Sequence, residues 1–388
     1  MNLVSRSQRN VVKRISLILF VSCLAIVSHS PKVFSQHFEL KLLGSYHTGV
    51  FAQGAAEIAA FDPASKRLFF VNANAATVDI LDLSNPAQPV KINSINATAY
   101  GASANSVSVK KGVVAVAIEA NPKQNPGKVV FFDTNGKFIS EVAVGALPDA
   151  VVFTPDGNKV VVANEGEPNA DYTVDPEGSV SVIDISAGAT NPVVATASFA
   201  SFIGQEAQLR SRGIRIYGPK ANAAQDFEPE YPTVSEDSKT AYVTLQENNA
   251  IAVIDLNTAT VTVLLPLGFK DHNAAGKGLD GGDRDGGLNL KNWPLLGMYL
   301  PDAIASLKIG EQTYLFTANE GDTREYSTYV EEVRIGAAKL DSIAFPNGAA
   351  LKTNANLGRL KITSSLGDVD GDGDYDKLYT FGARSFSI

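Results

Sequence analysis

Cysteine is all but absent from this chain of 388 residues: Cys23 is the only one. It lies inside an N-terminal segment that reads as a cleavable leader, so the processed chain would hold no thiol. Disulfide support and thiol chemistry are thereby excluded, and a large β core has to supply the stability. Histidine is scarce as well, and His29, His37, His47 and His272 lack any zinc-site spacing. There is no Gly-x-Ser-x-Gly elbow, P-loop or dinucleotide fingerprint. Helix-forming stretches are few. Positive charge is also in short supply: the net charge is −8, and removing residues 1–36, which carry five basic side chains and no acids, takes it to −13. Nucleic acid and anionic membrane would require the opposite balance. An acidic surface suits cation binding and solubility outside the cell.

The leader is built as export signals are. Arg6, Arg9, Lys13 and Arg14 precede an apolar stretch from Ile15 to Val27, and Val33-Phe34-Ser35 ahead of Gln36 offers a small-residue cleavage site. The apolar stretch falls short of the ~20 residues that a membrane span needs. Phe20-Val21-Ser22-Cys23 resembles a lipobox, but Phe20 is a poor first residue for one. The expectation is a signal peptide over residues 1–36, an exported product (periplasmic, secreted or at the cell surface) and no transmembrane segment in the mature chain.

What is present is a repeat. Short runs of Val, Ile, Thr and Phe between Gly, Pro, Asn and Asp recur, and each unit closes on an aspartate among aliphatic residues. These are Asp82, Asp133, Asp184 and Asp255, spaced by 51, 51 and 71 residues. A period near 40–50 residues with period-2 strands predicts an all-β β-propeller of four-stranded blades. The first three units begin near Gly54, Gly101 and Ala150, and the fourth spans about Phe227 to Leu267 after an insertion at about 187–225, whose 202–214 portion is a candidate helix. Thr154-Pro155-Asp156-Gly157 has the residue order of a type I turn. A further unit is announced by Leu300-Pro301-Asp302-Ala303 and Ala318-Asn319-Glu320-Gly321, which echo Leu147-Pro148-Asp149-Ala150 and Ala163-Asn164-Glu165-Gly166. Residues 38–45 read as a strand, 270–292 as a Gly/Asp-rich loop and about 323–357 as a second insertion. Apolar residues run to Ile388 with no closing strand in sight, so the last blade is read as incomplete.

Three acidic constellations are candidate sites. Asp368, Asp370, Asp372, Asp374 and Asp376 alternate with Gly as in the first half of a calcium loop, and hard carboxylate oxygens suit Ca²⁺. Position twelve is Tyr379 rather than Glu, so Asp376 would close the site. Asp280, Asp283 and Asp285 form a second acidic loop, which is either a metal site or a solubilising linker. Glu119, Glu165, Glu247 and Glu320 follow second strands, while Glu57, Glu228 and Glu230 lie at first-strand entries, so all seven are expected at one mouth of a central channel. Each of these glutamates has an ordinary explanation as a turn residue, since Asn-Glu-Gly makes hairpin turns. Asp322 and Arg324 are the candidate catalytic pair if the protein is an enzyme, and Arg324 and Arg384 are candidate anion clamps.

Several segments together resemble the choice-of-anchor I family of exported β-propeller proteins: residues 105–120, Phe227-Glu228-Pro229-Glu230-Tyr231, the 280–287 loop, residues 301–306, Asn319-Glu320-Gly321-Asp322 with Arg324, and residues 367–387. Val161-Val162-Ala163-Asn164 is similar to the name motif of YVTN repeats, which are WD40-like. The resemblance implies the propeller fold and export, and members typically continue into a C-terminal anchor; the reading of this chain is an exported, calcium-binding β-propeller that binds a ligand or surface partner. Similar domains in proteins described as alkaline phosphatases imply the alternative, a calcium-dependent phosphoesterase.

Overall fold

The structure, a computed structural model, describes residues 39–388. The leader over residues 1–36 and His37 lie outside the described residues. The architecture below is that of the compact unit Gly44–Ile388. The strand expected over 38–45 is not formed. Residues 39–45 carry no strand, and Leu40, Leu42 and Leu43 stand exposed, with no neighbouring strand to satisfy their backbone.

Four antiparallel four-stranded meanders follow one another. The first is β1 (Ala59–Asp62), β2 (Arg67–Asn72), β3 (Thr77–Asp82) and β4 (Val90–Asn96). The second is β5 (Ala104–Lys110), β6 (Val113–Ile118), β7 (Pro126–Asp133) and β8 (Phe138–Ala146). The third is β9 (Pro148–Phe153), β10 (Lys159–Asn164), β11 (Ser179–Asp184) and β12 (Val193–Ser198). The fourth is β13 (Pro229–Val234), β14 (Thr240–Leu245), β15 (Ala250–Asp255) and β16 (Thr260–Pro266). The first strands of successive sheets pack side by side. Side chains stitch them: Asn105 Nδ2 donates to the Pro148 carbonyl at 3.2 Å, and Thr244 Oγ1 donates to the Asp302 carbonyl at 2.7 Å. These are the blades of a β-propeller.

The closing aspartates occupy one structural position. Asp82, Asp133, Asp184 and Asp255 are each the last residue of a third strand. Each Oδ1 accepts the backbone N–H two residues on, at 2.7–2.8 Å, and so starts the turn to the fourth strand. The Thr154–Gly157 turn likewise closes through Gly157 N–H to Thr154 O at 2.8 Å.

Second and third strands are buried on both faces, as in β10 and β11, and read as continuous apolar runs. Fourth strands are mostly exposed, as in β4, β12 and β16, and carry no such signal. This shortens the expected insertion at 187–225: Val193–Ser198 is the outer strand of the third blade. The true insertion holds helix α1 (Glu206–Ser211), within the candidate helical stretch, and helix α2 (Ala223–Asp226), capped by Asn222. It drives Phe199, Leu209, Ile214 and Phe227 into the core shared by blades three and four.

The fifth sheet consists of β19 (Pro301–Ile309), β20 (Gln312–Asn319) and β26 (Ser385–Ser387). The C-terminal residues read as lacking a closing strand thus supply the third strand of this sheet. The two remaining long segments are not independent loops. They pair as a five-stranded mixed sheet: β17 (Phe269–Asp271), β18 (Leu296–Met298), β25 (Tyr379–Thr380), β24 (Lys361–Thr363) and β23 (Glu332–Arg334). The sheet has its own core of Leu279, Trp293, Leu295, Ile335, Phe345, Leu357, Ile362 and Leu378. A two-stranded ribbon, β21 (Glu325–Tyr326) and β22 (Tyr329–Val330), leads into β23.

One glycine holds blades three and four together. A Cβ on Gly178 would lie 1.9 Å from the Phe227 carbonyl oxygen, whereas one on Gly112, at φ +79°, meets open space. Gly178→Ala should therefore destabilise by about 3 kcal/mol or more, through displaced backbone. Gly112→Ala should cost only the left-handed penalty of about 1–2 kcal/mol. Denaturant melts of the two variants check the difference.

Candidate functional site

The inner strands share an irregularity that the meander alone does not require. At the entry of β5, β9, β13 and β19 the ladder gains one residue over the neighbouring second strand. Asn105, Asp149, Glu230 and Asp302 lie in these bulges, which re-aim the side chains they carry. Leu147 and Leu300, two residues upstream of Asp149 and Asp302, are both buried and both hold positive φ (47° and 42°). Residues other than glycine avoid that conformation, and finding it twice at equivalent places marks a strained approach to the centre. The Leu-Pro-Asp-Ala echo in the sequence was the available signal for Asp149 and Asp302, which reading the glutamates alone missed.

The second-strand exits deliver the opposing acids. Glu119, Glu165 and Glu320 follow β6, β10 and β20 directly, and Glu247 lies two residues past β14. Carboxylate oxygens of Asp149, Glu165 and Glu230 lie within 4.8 Å of one another. Mutual repulsion ties the rest to them: Glu119 and Asp302 act on Asp149, Glu247 acts on Glu165 and Glu230, and Glu320 and Asp322 act on Asp302. The mouth of acids is thus assembled from blades two to five. Glu57 is exposed, as is Glu320. Glu228 interacts with Glu165 and Glu247 but is held in an ion pair with Arg324.

Burial dominates the electrostatics. It pushes the Asp149 carboxyl up to about 7, with Asp302 and Glu119 adding to the shift. Burial also raises Glu247 to about 7, against the pull of Arg324. Glu165 and Glu230 are driven well above the carboxylate range by burial and then by neighbouring acids. Such groups bind protons more tightly folded than unfolded, so stability falls as pH rises from about 4 through about 7. Chelator-treated protein should accordingly melt higher near pH 5 than near pH 8. The turn aspartates, whose carboxyls are lowered, act in the opposite sense and only at pH below about 4.

Behind the mouth lies a buried pair of arginines. Arg324 is almost fully buried: its Nη1 meets Asp226 Oδ1 at 3.2 Å, its Nη2 meets Glu228 Oε1 at 3.0 Å, and Nη2 also donates to the Asp226 carbonyl at 2.8 Å. Arg215, equally buried, pairs with Glu331 and Thr363. Both guanidinium carbons lie over the Tyr217 ring, at 4.0 Å for Arg215 and 4.6 Å for Arg324. Arg324, expected as an anion clamp, therefore has its charge committed to two carboxylates. Its candidate partner Asp322 is exposed, with Oδ1 accepting the Thr323 N–H. Arg215, Tyr217, Asp226 and Glu331 carry no sequence motif, because their partners are up to 150 residues away.

The acidic loops differ from each other. In the C-terminal one, oxygens of Asp368, Asp370 and Asp376 lie within 4.8 Å of one another. Asp368, Asp370 and Asp376 also accept backbone N–H groups of the loop, as Asp372 does from Asp374, and Asp374 pairs with Lys339 at 3.2 Å. Gly371 and Gly373 hold positive φ with nothing where a Cβ would stand, so the backbone can fold round a small centre. The three converging carboxylates fit a hard cation. The other loop does not converge: Asp283 is taken by Arg359 at 2.7 Å, Asp285 accepts from Asn289, and Asp280 Oδ1 is buried without a partner. Arg384 reaches only the Asp280 carbonyl, at 3.4 Å. His272 is buried and bonded through Nδ1 to the Lys277 carbonyl, and burial lowers its proton affinity.

A family model described as the choice-of-anchor I domain matches residues 57–388. No curated protein matches the chain. Among solved structures, it is similar to hydrazine synthase of Kuenenia stuttgartiensis at 12% identity and a TM-score of 0.39, over 68% of this chain and 80% of that one. A protein from Lactobacillus plantarum shares 14% identity at a TM-score of 0.41, over 68% and 64%. The β-propeller domain of Cps50 (Swd1) from Myceliophteria thermophila shares 14% at a TM-score of 0.36, over 55% of each. The chain spans less than two thirds of the length of the last two.

Proposed function

We propose, from the premise that this chain belongs to the choice-of-anchor I family, that it is an exported propeller binding a ligand or surface partner at its acidic mouth, with Ca²⁺ held by the Asp368–Asp376 loop. Chains of this family are surface or ligand-interaction modules, and among the described residues no helix is long and apolar enough to cross a membrane. The observation that carries the reading is the convergence of Asp149, Glu165, Glu230, Glu247 and Asp302 at the inner-strand entries, where loops at a propeller axis meet their ligands. Arg324 is paired with Asp226 and Glu228, and with Lys123 and Arg215 it offsets the acids only in part, so the field at the mouth favours a ligand that is cationic or bridged by a metal ion. In that reading the leader over residues 1–36 directs export.

Calcium would be held by Asp368, Asp370 and Asp376 and would neutralise their repulsion, fixing the loop against Lys339 and the core beneath Tyr375. The phosphoesterase alternative needs a guanidinium free to hold phosphoryl oxygens, and the engagement of Arg324 speaks against it. Two assays separate the readings. Purified protein should be retained on washed cells of its own source in Ca²⁺, and a Glu119→Gln, Glu320→Gln, Asp322→Asn variant should lose that retention. A generic phosphomonoester should not be turned over with or without Ca²⁺. Saturable turnover, or retention indifferent to the three substitutions, would replace this reading with the alternative or with another surface.

A further inference from the structure

We propose that a cavity between the insertion ahead of blade four and the five-stranded mixed sheet is a second binding site, and that it takes a small aromatic carboxylate. Its lining includes none of the acids of the mouth and none of the C-terminal calcium loop.

The cavity has a volume of about 210 Å³. A cavity of about 150 Å³ already holds benzene, so one six-membered ring with a small substituent fits here. Part of its wall is aromatic. Phe269 of β17 and Tyr379 of β25 are both half-buried and meet edge to face, with ring centres 4.9 Å apart. Leu366 extends this apolar surface. Such a wall favours a planar apolar body.

The rest of the wall is polar. Gly213, at φ +91°, follows helix α1 and turns the chain into Ile214-Arg215-Ile216-Tyr217. The two isoleucines enter the core shared by blades three and four, and Arg215 stacks on the Tyr217 ring. Arg215 is 3% exposed. Its Nη1 donates to the Glu247 carbonyl at 2.6 Å and its Nη2 to Ser365 Oγ at 3.1 Å, but its Nε is buried with no acceptor. In the planar guanidinium Nε and Nη2 share an edge, and Ser365, which Nη2 reaches, is itself a wall of the cavity. Tyr217 lines the same cavity, and its Oη is also buried without a partner. Two unmet donors on one small cavity are costly until an acceptor enters. A carboxylate brings two acceptor oxygens.

Arg210 decides the charge of the ligand. It is exposed on α1 at the cavity, its Nη1 donates to the Ile216 carbonyl at 3.2 Å, and no carboxylate among the described residues forms a salt bridge with it. Glu206, one turn earlier, spends its Oε1 on the Gly204 and Ala223 N–H groups, both at 3.0 Å. The charge of Arg215 is answered by Glu331. Arg210 is therefore the cation that an entering carboxylate meets, and it selects an anion over an amine.

The test is fluorine NMR on the full chain with para-fluorobenzoate, para-fluorotoluene and para-fluorobenzylamine. The benzoate should bind about tenfold more tightly than the toluene, the gain of a charge-assisted hydrogen bond. The amine should bind more weakly than either. Leu366→Trp, which fills the cavity, should abolish binding of all three. Arg210→Met should bring the benzoate down to the toluene level and leave the toluene unchanged. Far-UV circular dichroism checks that both variants fold. Should Leu366→Trp fail to fold, the Arg210→Met comparison decides alone, and an unchanged benzoate affinity there overturns the proposal. Failure of all three probes to bind at millimolar concentration also overturns it, as does benzoate binding that survives Leu366→Trp in a folded protein. Amine binding as tight as that of the benzoate overturns the assigned ligand class.

Discussion

Arg324→Met should destabilise the protein by about 3–5 kcal/mol, the largest effect expected of any single charged side chain here. The methionine fills much of the same volume, so the loss comes from what it leaves behind. Asp226 and Glu228 are both buried, and both would keep a desolvated charge without its partner. Burial already raises the Glu228 carboxyl, and Arg324 is what opposes that rise. Without the arginine, Glu228 would take up a proton on folding, so the loss would be worst at alkaline pH and smaller in acid. Adding Asp226→Asn and Glu228→Gln to Arg324→Met should recover part of the stability, since it removes the uncompensated charges. Asp226 also caps Tyr217 and Gly218 N–H and accepts from Asn248, so the recovery would be partial. Urea melts of the single and triple variants check this. A cost near zero for Arg324→Met would mean that the pair is hydrated and not a structural keystone of the mouth.

The second large effect concerns the C-terminal loop. At a hundredfold excess over its dissociation constant, an ion that binds only the folded state adds about 2.7 kcal/mol. Chelation should therefore lower the melting temperature and Ca²⁺ should restore it. The only tryptophan of the chain, Trp293, sits in the same satellite core as Tyr375 of the loop. Its fluorescence therefore reports the satellite sheet, whereas far-UV circular dichroism is dominated by the blades. Chelator should shift the Trp293 transition more than the circular-dichroism transition. Asp370→Asn with Asp376→Asn should remove that difference. Coincident transitions, unmoved by chelator or Ca²⁺, would make the loop a solvated acidic turn.

How much of this was legible in the sequence depends on how local the determinants are. Strands buried on both faces announce themselves as apolar runs, and the closing aspartates repeat because one turn needs the same oxygen four times. Outer strands such as Val193–Ser198 face solvent along most of their length and leave no pattern, so one was absorbed into an insertion. The satellite sheet was invisible for a different reason. Its pairing of Leu296 with Tyr379, 83 residues on, joins two segments that look like loops when read separately. The site divides in the same way. Glutamates at second-strand exits follow from the repeat, and four of the expected seven (Glu119, Glu165, Glu230 and Glu247) gather with Asp149 and Asp302, with Glu320 adjoining Asp302. Glu228 interacts with Glu165 and Glu247 as well, but a buried arginine 96 residues away holds its carboxylate. Asp149 and Asp302 stand in tetrapeptides that the sequence repeats, without a sign there that their carboxylates join the site. A matched motif tells where two repeats are equivalent, and only the bulge shows which way its aspartate points.

The measurement that bears most directly on the calcium reading is an anomalous-difference map from crystals soaked in a calcium-site lanthanide such as Tb³⁺. The account predicts a peak among Asp368, Asp370 and Asp376. A map with no peak at that loop would contradict it.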